Sequence, residues 1–219
     1  MATKIIVSYD GTDNDKDALA LGDVFADAGA SLALAYVRHA RAEGAAERLA
    51  EKDAEELLRN GAASIGKPHL PQFVVLSAST PEGLAELASK EGADMIVFGS
   101  AYRTTPGHVY PQASAERLMD GGRIAVALAP ASYKAQSIKT VAALDGDQDT
   151  SASSTAGAFA SRFGAELKPR PNGGQDLLVV GSKLGTADGQ VRVSAAAAYV
   201  IELIRSPVVV LPRGVALTL

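Results

Sequence analysis

The feature that most constrains this chain is an internal repeat without a gap. Residues 94–130, DMIVFGSAYRTTPGHVYPQASAERLMDGGRIAVALAP, line up with residues 176–212, DLLVVGSKLGTADGQVRVSAAAAYVIELIRSPVVVLP, at a constant offset of 82. Asp94 matches Asp176, Gly99-Ser100 matches Gly181-Ser182, Gly107 and Val109 match Gly189 and Val191, and Pro130 matches Pro212. Each copy reads as a buried strand, a glycine-bearing loop, a short helix and a second buried strand. The chain is therefore expected to be two related halves, with its function in the loop they share.

A second alignment shows that the halves differ in length. Residues 139–146 (KTVAALDG) match residues 4–11 (KIIVSYDG), and Gly164-Ala165 matches Gly29-Ala30, at an offset of 135. The offset then falls from 135 to 82, so the second half lacks 53 residues. Those residues correspond to the second helix, third strand and third helix of the first half. Domains are expected at 1–133 and 138–219. The shorter one would be marginal alone and is expected to pack on the longer one.

Within the first half, strands alternate with helices. KIIVSY (4–9) ends at Asp10-Gly11, and Thr12 to Asp15 supplies N-cap candidates before an apolar periodic run. Residues 32–37 form the second strand, 42–65 a long amphipathic helix, and 73–76 the third strand. Thr80-Pro81 opens a third helix, with Thr80 as the expected cap. Strands at 94–98 and 124–129 flank the loop and a short helix at 111–119. The continuous apolar runs MIVF and IAVALA suit strands covered on both faces. The fold class is α/β, a doubly wound parallel sheet. In the second half a helix is expected at Ser151–Phe163, a strand stub at Glu166–Lys168, and close helix packing along Ala195–Ala198.

Composition excludes several function classes. The net charge is −4, with no clustered basic face of the kind a nucleic-acid binder needs. The chain has no cysteine, which removes thiol catalysis, zinc–thiolate sites and iron–sulfur clusters. It is compatible with a reducing, cytoplasmic setting. The N-terminus meets an Asp too early for a signal peptide, and the apolar run Val193–Ile204 is broken by Ser194 and Glu202, so no membrane span is expected. His39, His69 and His108 lack ligand spacing, so no metal site is expected. No G-x-S-x-G elbow, Walker loop or G-x-G-x-x-G fingerprint occurs. A phosphorylated receiver domain would want an aspartate where the third strand ends in Leu76-Ser77-Ala78. A flavin carrier would want more than 5% aromatic residues.

The motifs VSYDG, DMIVFGS, ASAERL and IAVALAP, with their abbreviated second copies, resemble the universal stress protein family in a tandem form. The resemblance covers residues 3–132 and, in shortened form, 138–213. It implies an adenine-nucleotide alpha hydrolase-like sheet of order 3-2-1-4-5 and pairing of units through their last strands. This chain would then be an intramolecular pseudo-dimer, with a homodimer as a further possibility. One subset of the family binds ATP through G-x2-G-x9-G-[ST] after the fourth strand, and another subset lacks both motif and nucleotide.

Ligands of such sheets bind beyond the carboxyl ends of the strands at the switch point. Here those ends carry Asp10, Gly11 and Thr12, and Gly99 and Ser100. Asp10 could accept from an adenine amine or a ribose hydroxyl, or could only cap a turn. Gly99 could admit a phosphate to the backbone, or only give a tight strand exit. The backbone of Val37 matches the family position lining adenine. The motif keeps only Gly99: its other positions fall on Tyr102, Gln112 and Ala113. Ser114 could replace the lost hydroxyl, Gly107 could open the turn, and Arg103 could supply charge to a phosphate. The second half departs likewise, at Leu184, Ser194 and Ala195. The expected function is a stress-response factor binding ATP or AMP in its first half, with no dedicated catalysis beyond slow ATP hydrolysis. The alternative is a ligand-free structural or protein-interaction module.

Overall fold

The structure, a computed structural model, describes residues 3–39, 45–146 and 148–219. The first half comprises β1 (Lys4–Ser8), α1 (Asp13–Asp27), β2 (Ser31–His39), α2 (Ala45–Ser64), β3 (Gln72–Ser77), α3 (Thr80–Glu91), β4 (Met95–Gly99), α4 (Ala113–Met119) and β5 (Ala125–Ala129). The second comprises β6 (Thr140–Leu144), α5 (Ser151–Phe163), β7 (Glu166–Lys168), β8 (Leu177–Val180), α6 (Ala195–Leu203) and β9 (Val208–Val210). The helix at Ser151–Phe163 and the short strand at Glu166–Lys168 lie where the sequence places them. The start of the long helix expected over 42–65 falls partly outside the described residues. One cap differs: Ser79, in extended backbone, precedes α3, and Thr80 is its first residue. Pro81 fits the first turn because no intrahelical partner awaits its missing N–H there.

The α/β class and the mostly parallel sheet are as expected, and the first five strands run β3-β2-β1-β4-β5. The whole sheet departs from the expected order because it does not stop at β5. It continues through β9-β8-β6-β7 into nine strands. β5 pairs antiparallel with β9, with Val126 opposite Val210 and Leu128 opposite Val208. Every other ladder is parallel. The seam forms because both last strands are wholly apolar and would otherwise be bare edges. Each fully buried valine there contributes about 1.5–3 kcal/mol. A second crossing contact joins Gly121 N–H to Val191 O at 2.7 Å and Val191 N–H to Gly122 O at 2.8 Å.

Side chains of the strands divide between two cores. On one face α1, α2 and α5 cover the sheet, and Phe25 meets Phe159 and Phe163 at ring distances of 5.9 and 6.3 Å. On the other face α3, α4 and α6 lie over Ile96, Phe98, Val126 and Val208. These two layers bring the carboxyl ends of β1 and β4 together at one end of the sheet, and the antiparallel seam puts those of β6 and β8 together at the opposite end.

Candidate functional site: the loops beyond β4 and β8

The loop after β4 is held by its own serine. Ser100 is buried, and its hydroxyl donates to Ala129 O at 2.7 Å, with His108 O at 3.3 Å as the alternative acceptor. It accepts from Tyr110 N–H at 3.3 Å. Ser182 repeats this set on Leu211 O (2.8 Å), Gln190 O (3.2 Å) and Arg192 N–H (3.0 Å). The main chain repeats too. Gly107 N–H reaches Ala131 O at 2.7 Å and Gly189 N–H reaches Arg213 O at 2.9 Å. Both glycines have positive φ, 83° and 73°, so the turn needs a residue free of a β-carbon. The two loops are one structure built twice, at the same offset of 82.

The strand exits are equally tight. A β-carbon on Gly99 would run into the main-chain carbonyl of Asn14, and one on Gly146 into that of Ser182. Gly99 is glycine because the first turn of α1 lies against it. That is the bland role of the two open to it in the sequence.

Asp10 is engaged within its own loop. One carboxylate oxygen accepts from Thr12 N–H at 3.0 Å, and Asp10 N–H donates to the Asp15 carboxyl. Burial pushes the Asp15 carboxyl up to about 8, and its hydrogen bond to Asp10 adds to the rise. Burial also acts to raise Asp10, but the hydrogen bonds from Asp15 and Thr12 outweigh it and leave Asp10 below its ordinary range. Both shifts favour Asp15 over Asp10 as the holder of a proton. The sequence offered Asp15 only as one of the N-cap candidates from Thr12 to Asp15; Thr12 takes the cap position and Asp15 lies in the first turn of α1.

The remaining candidates are dispersed. Gly11 is roofed by the Leu57 side chain. Val37 is buried in the core, against Gly83 of α3. Gln112 occupies the N-cap of α4 and makes no side-chain cap bond, whereas Ser194 at the matching place accepts from Ala197 N–H at 3.1 Å. Ala113 is exposed and Ser114 half-buried. Arg103 is exposed, with its guanidinium carbon 5.5 Å from the Tyr102 ring centroid. It lines a cavity of about 450 Å³ with His108, Tyr110 and Glu202. Its φ is +70°, at the position where the sister loop has Gly185. The structure thus joins Asp10–Thr12 to Gly99 and Ser100, and leaves Arg103 and Gly107 on the outer part of the loop.

A further opening was not foreseen as a site. Beyond the carboxyl ends of β6 and β7 lies a bay of about 720 Å³, lined by Leu144, Asp145, Lys168, Arg170 and Val200. Asp145, the counterpart of Asp10, accepts from Ser153 N–H at 2.8 Å and from the Ser153 hydroxyl. The bay lies in the half that lacks 53 residues, and that deletion was its one signal in the sequence. Among the described residues no three His, Asp or Glu side chains gather to hold a metal, and no helix is long and apolar enough to cross a membrane.

A mostly parallel sheet with a glycine-serine exit at the switch point of each half defines a class of α/β fold. Residues 1–130 match the model of the universal stress protein family, and the chain belongs to that family. A universal stress protein from Archaeoglobus fulgidus DSM 4304 superposes with a TM-score of 0.71 at 13% identity, over 96% of this chain and 98% of its own. A functionally unknown protein from Pseudomonas aeruginosa PAO1 gives 0.59 at 15% identity, over 97% and 93%. A universal stress protein in complex with cAMP aligns over 45% of this chain and 75% of its own, at 21% identity and a TM-score of only 0.37. At these identities the likeness is one of fold. No curated protein matches the sequence.

Proposed function

We propose that this chain is a non-enzymatic, cytoplasmic universal stress protein that works as a protein-interaction module. It is a tandem of one full unit (1–133) and one abbreviated unit (138–219), joined as a pseudo-dimer through β5 and β9. One observation carries the reading. In both halves the groups that would greet a phosphate are spent on the protein's own main chain: Ser100 and Ser182 on the last strand, and Gly99 on α1. The larger of the two openings described, the 720 Å³ bay, lies instead in the second half. Thermal-shift titration with ATP, ADP and AMP to millimolar concentration tests this, and no stabilisation is expected. A rise of several degrees would overturn it.

A second reading, an adenine nucleotide such as ATP or AMP, is favoured by Lys168 and Arg170 in the 720 Å³ bay. Their charge suits phosphate, and Leu144 and Val200 offer an apolar wall to a base. The competing location is the first-half set from Asp10 to Thr12 and from Gly99 to Ser114, with Arg103 as its cation. Under this reading, Lys168→Ala lowers nucleotide affinity if the bay is used, and Arg103→Ala lowers it if the first half is used.

A further inference from the structure

We infer that the bay and the adjoining outer face of α6 form a docking site for an acidic amphipathic helix of a partner protein. The inference rests on the interaction-module reading above, and names the partner's chemistry. Its starting point is a comparison of α4 with α6, which occupy matching places. In the first half, α3 packs on α4 and leaves Leu118 only 5% exposed. The second half has no counterpart of α3. Val200, which matches Leu118, faces the open bay.

The outward positions have changed in the same sense. Where α4 has Arg117 and Gly121, α6 and its end have Tyr199 and Leu203, exposed by 63% and 60%. The sequence of α6, AAAAYVIEL, contains one charge and is apolar around its circumference. A helix of that kind belongs in an interior. The packing expected for Ala195–Ala198 holds for Ala197 alone; Ala195, Ala196 and Ala198 are exposed. Tyr199 and Leu203 thus extend the apolar surface beside Val200, at positions whose first-half counterparts, Arg117 and Gly121, are polar or small.

The occupant is a helix and not a strand. β7, the sheet edge at the bay, is three residues long, and Pro169 and Pro171 follow it with no N–H to donate. The charge of the bay sets the polar side of that helix. Lys168 and Arg170 line it against one carboxylate, Asp145, whose oxygens accept from Ser153, so the lining keeps a net positive charge. The helix that fills the matching place in the first half has this character. α3 buries Leu84, Leu87 and Ala88 and carries Glu82, Glu86 and Glu91 against one lysine, Lys90.

The test uses the full chain and a fluorescein-labelled, lactam-bridged peptide of residues 79–92 as the probe. Saturable anisotropy is expected. Val200→Asp or Leu203→Asp, each checked for an unchanged circular dichroism spectrum, should abolish it. The pair Lys168→Glu and Arg170→Glu should weaken it about tenfold, the factor for two partly exposed ion pairs. A peptide with Glu82, Glu86 and Glu91 replaced by Lys should bind about tenfold more weakly. Equal binding of both peptides, or none up to about 1 mM, the weak end of useful affinity, would overturn the inference. So would concentration-dependent dimerisation lost in Tyr199→Glu, which would make a second copy the occupant. Nucleotide stabilisation abolished by Lys168→Glu would overturn the parent reading as well. Failure of the peptide with no nucleotide effect would remove only the helix.

Discussion

The loops 99–111 and 181–193 share their hydrogen bonds almost atom for atom, yet the surfaces around them have little in common. In the first half α2 and α3 roof the strand ends; in the second a bay stands open. The comparison separates two kinds of similarity. What recurs is the set of contacts that closes the main chain on itself. What differs is the cover, and with it whatever the protein presents to others.

The comparison is open to direct attack, beginning where the largest effect is expected. Gly99→Ala and Gly146→Ala each drive a methyl group into a main-chain carbonyl that cannot swing aside. Each should cost roughly 3 kcal/mol or more, seen as a lowered denaturation midpoint with or without nucleotide. A well-folded Gly99→Ala variant would show that Asn14 does not define this exit.

The Asp15 carboxyl, which has no acidic counterpart at position 150, should give the next effect. Its folded pKa is raised from 3.8 to about 8, so between those values the unfolded chain releases a proton that the folded chain keeps. That favours unfolding, and stability attributable to this group falls as pH rises from about 4 to about 8. Asp15→Asn, which resembles the protonated form, should add about 2–4 kcal/mol at pH 7 and little at pH 4. Urea midpoints measured across that range decide the matter; a constant difference between variant and parent would refute the raised pKa.

Ser100→Ala and Ser182→Ala strip the same buried pin from each loop. Each should cost about 1–3 kcal/mol, and the two costs should agree. A clear inequality, read by chemical denaturation, would break the equivalence of the loops. The smallest effect concerns Arg103, held at a positive φ where the sister loop uses Gly185. Arg103→Gly should stabilise by about 0.5–1 kcal/mol, the left-handed penalty less the entropy of glycine. Gly185→Arg should destabilise by a similar amount. If Arg103→Gly destabilised instead, its stacking on Tyr102 would outweigh the strain.

Much of the fold was legible because hydrophobic runs and glycine punctuation survive repetition. The two offsets located the strands that recur, the apolar run at 73–76 located β3, and the family resemblance implied the pairing of β5 with β9. The site was less legible. A serine after a glycine at a switch point reads the same whether it greets a phosphate or pins a strand end; only the positions of Ala129 and Leu211 distinguish them. Asp15 was hidden because its protonation follows from burial, which local spacing does not encode. Thr80 and Ser79 are both good caps, and the chain's direction into α3 selects the second. The exposed outer face of α6 was misread as packing because small and apolar residues ordinarily mean contact. The matching positions of α4, Ala113, Ser114 and Glu116, are likewise exposed or half-buried.

The antiparallel seam between β5 and β9 also changes how such a protein can evolve. Two separate copies of one unit must carry every substitution twice, once on each side of their symmetry axis. Here the partners are encoded separately and tethered, so the seam is insensitive to dilution and each side is free to drift. The differences between matched positions, Arg103 against Gly185 in sequence and Arg117 against Tyr199, are of the kind that freedom allows. A partner bound in the bay beside β6 and β7 would be held at one per chain.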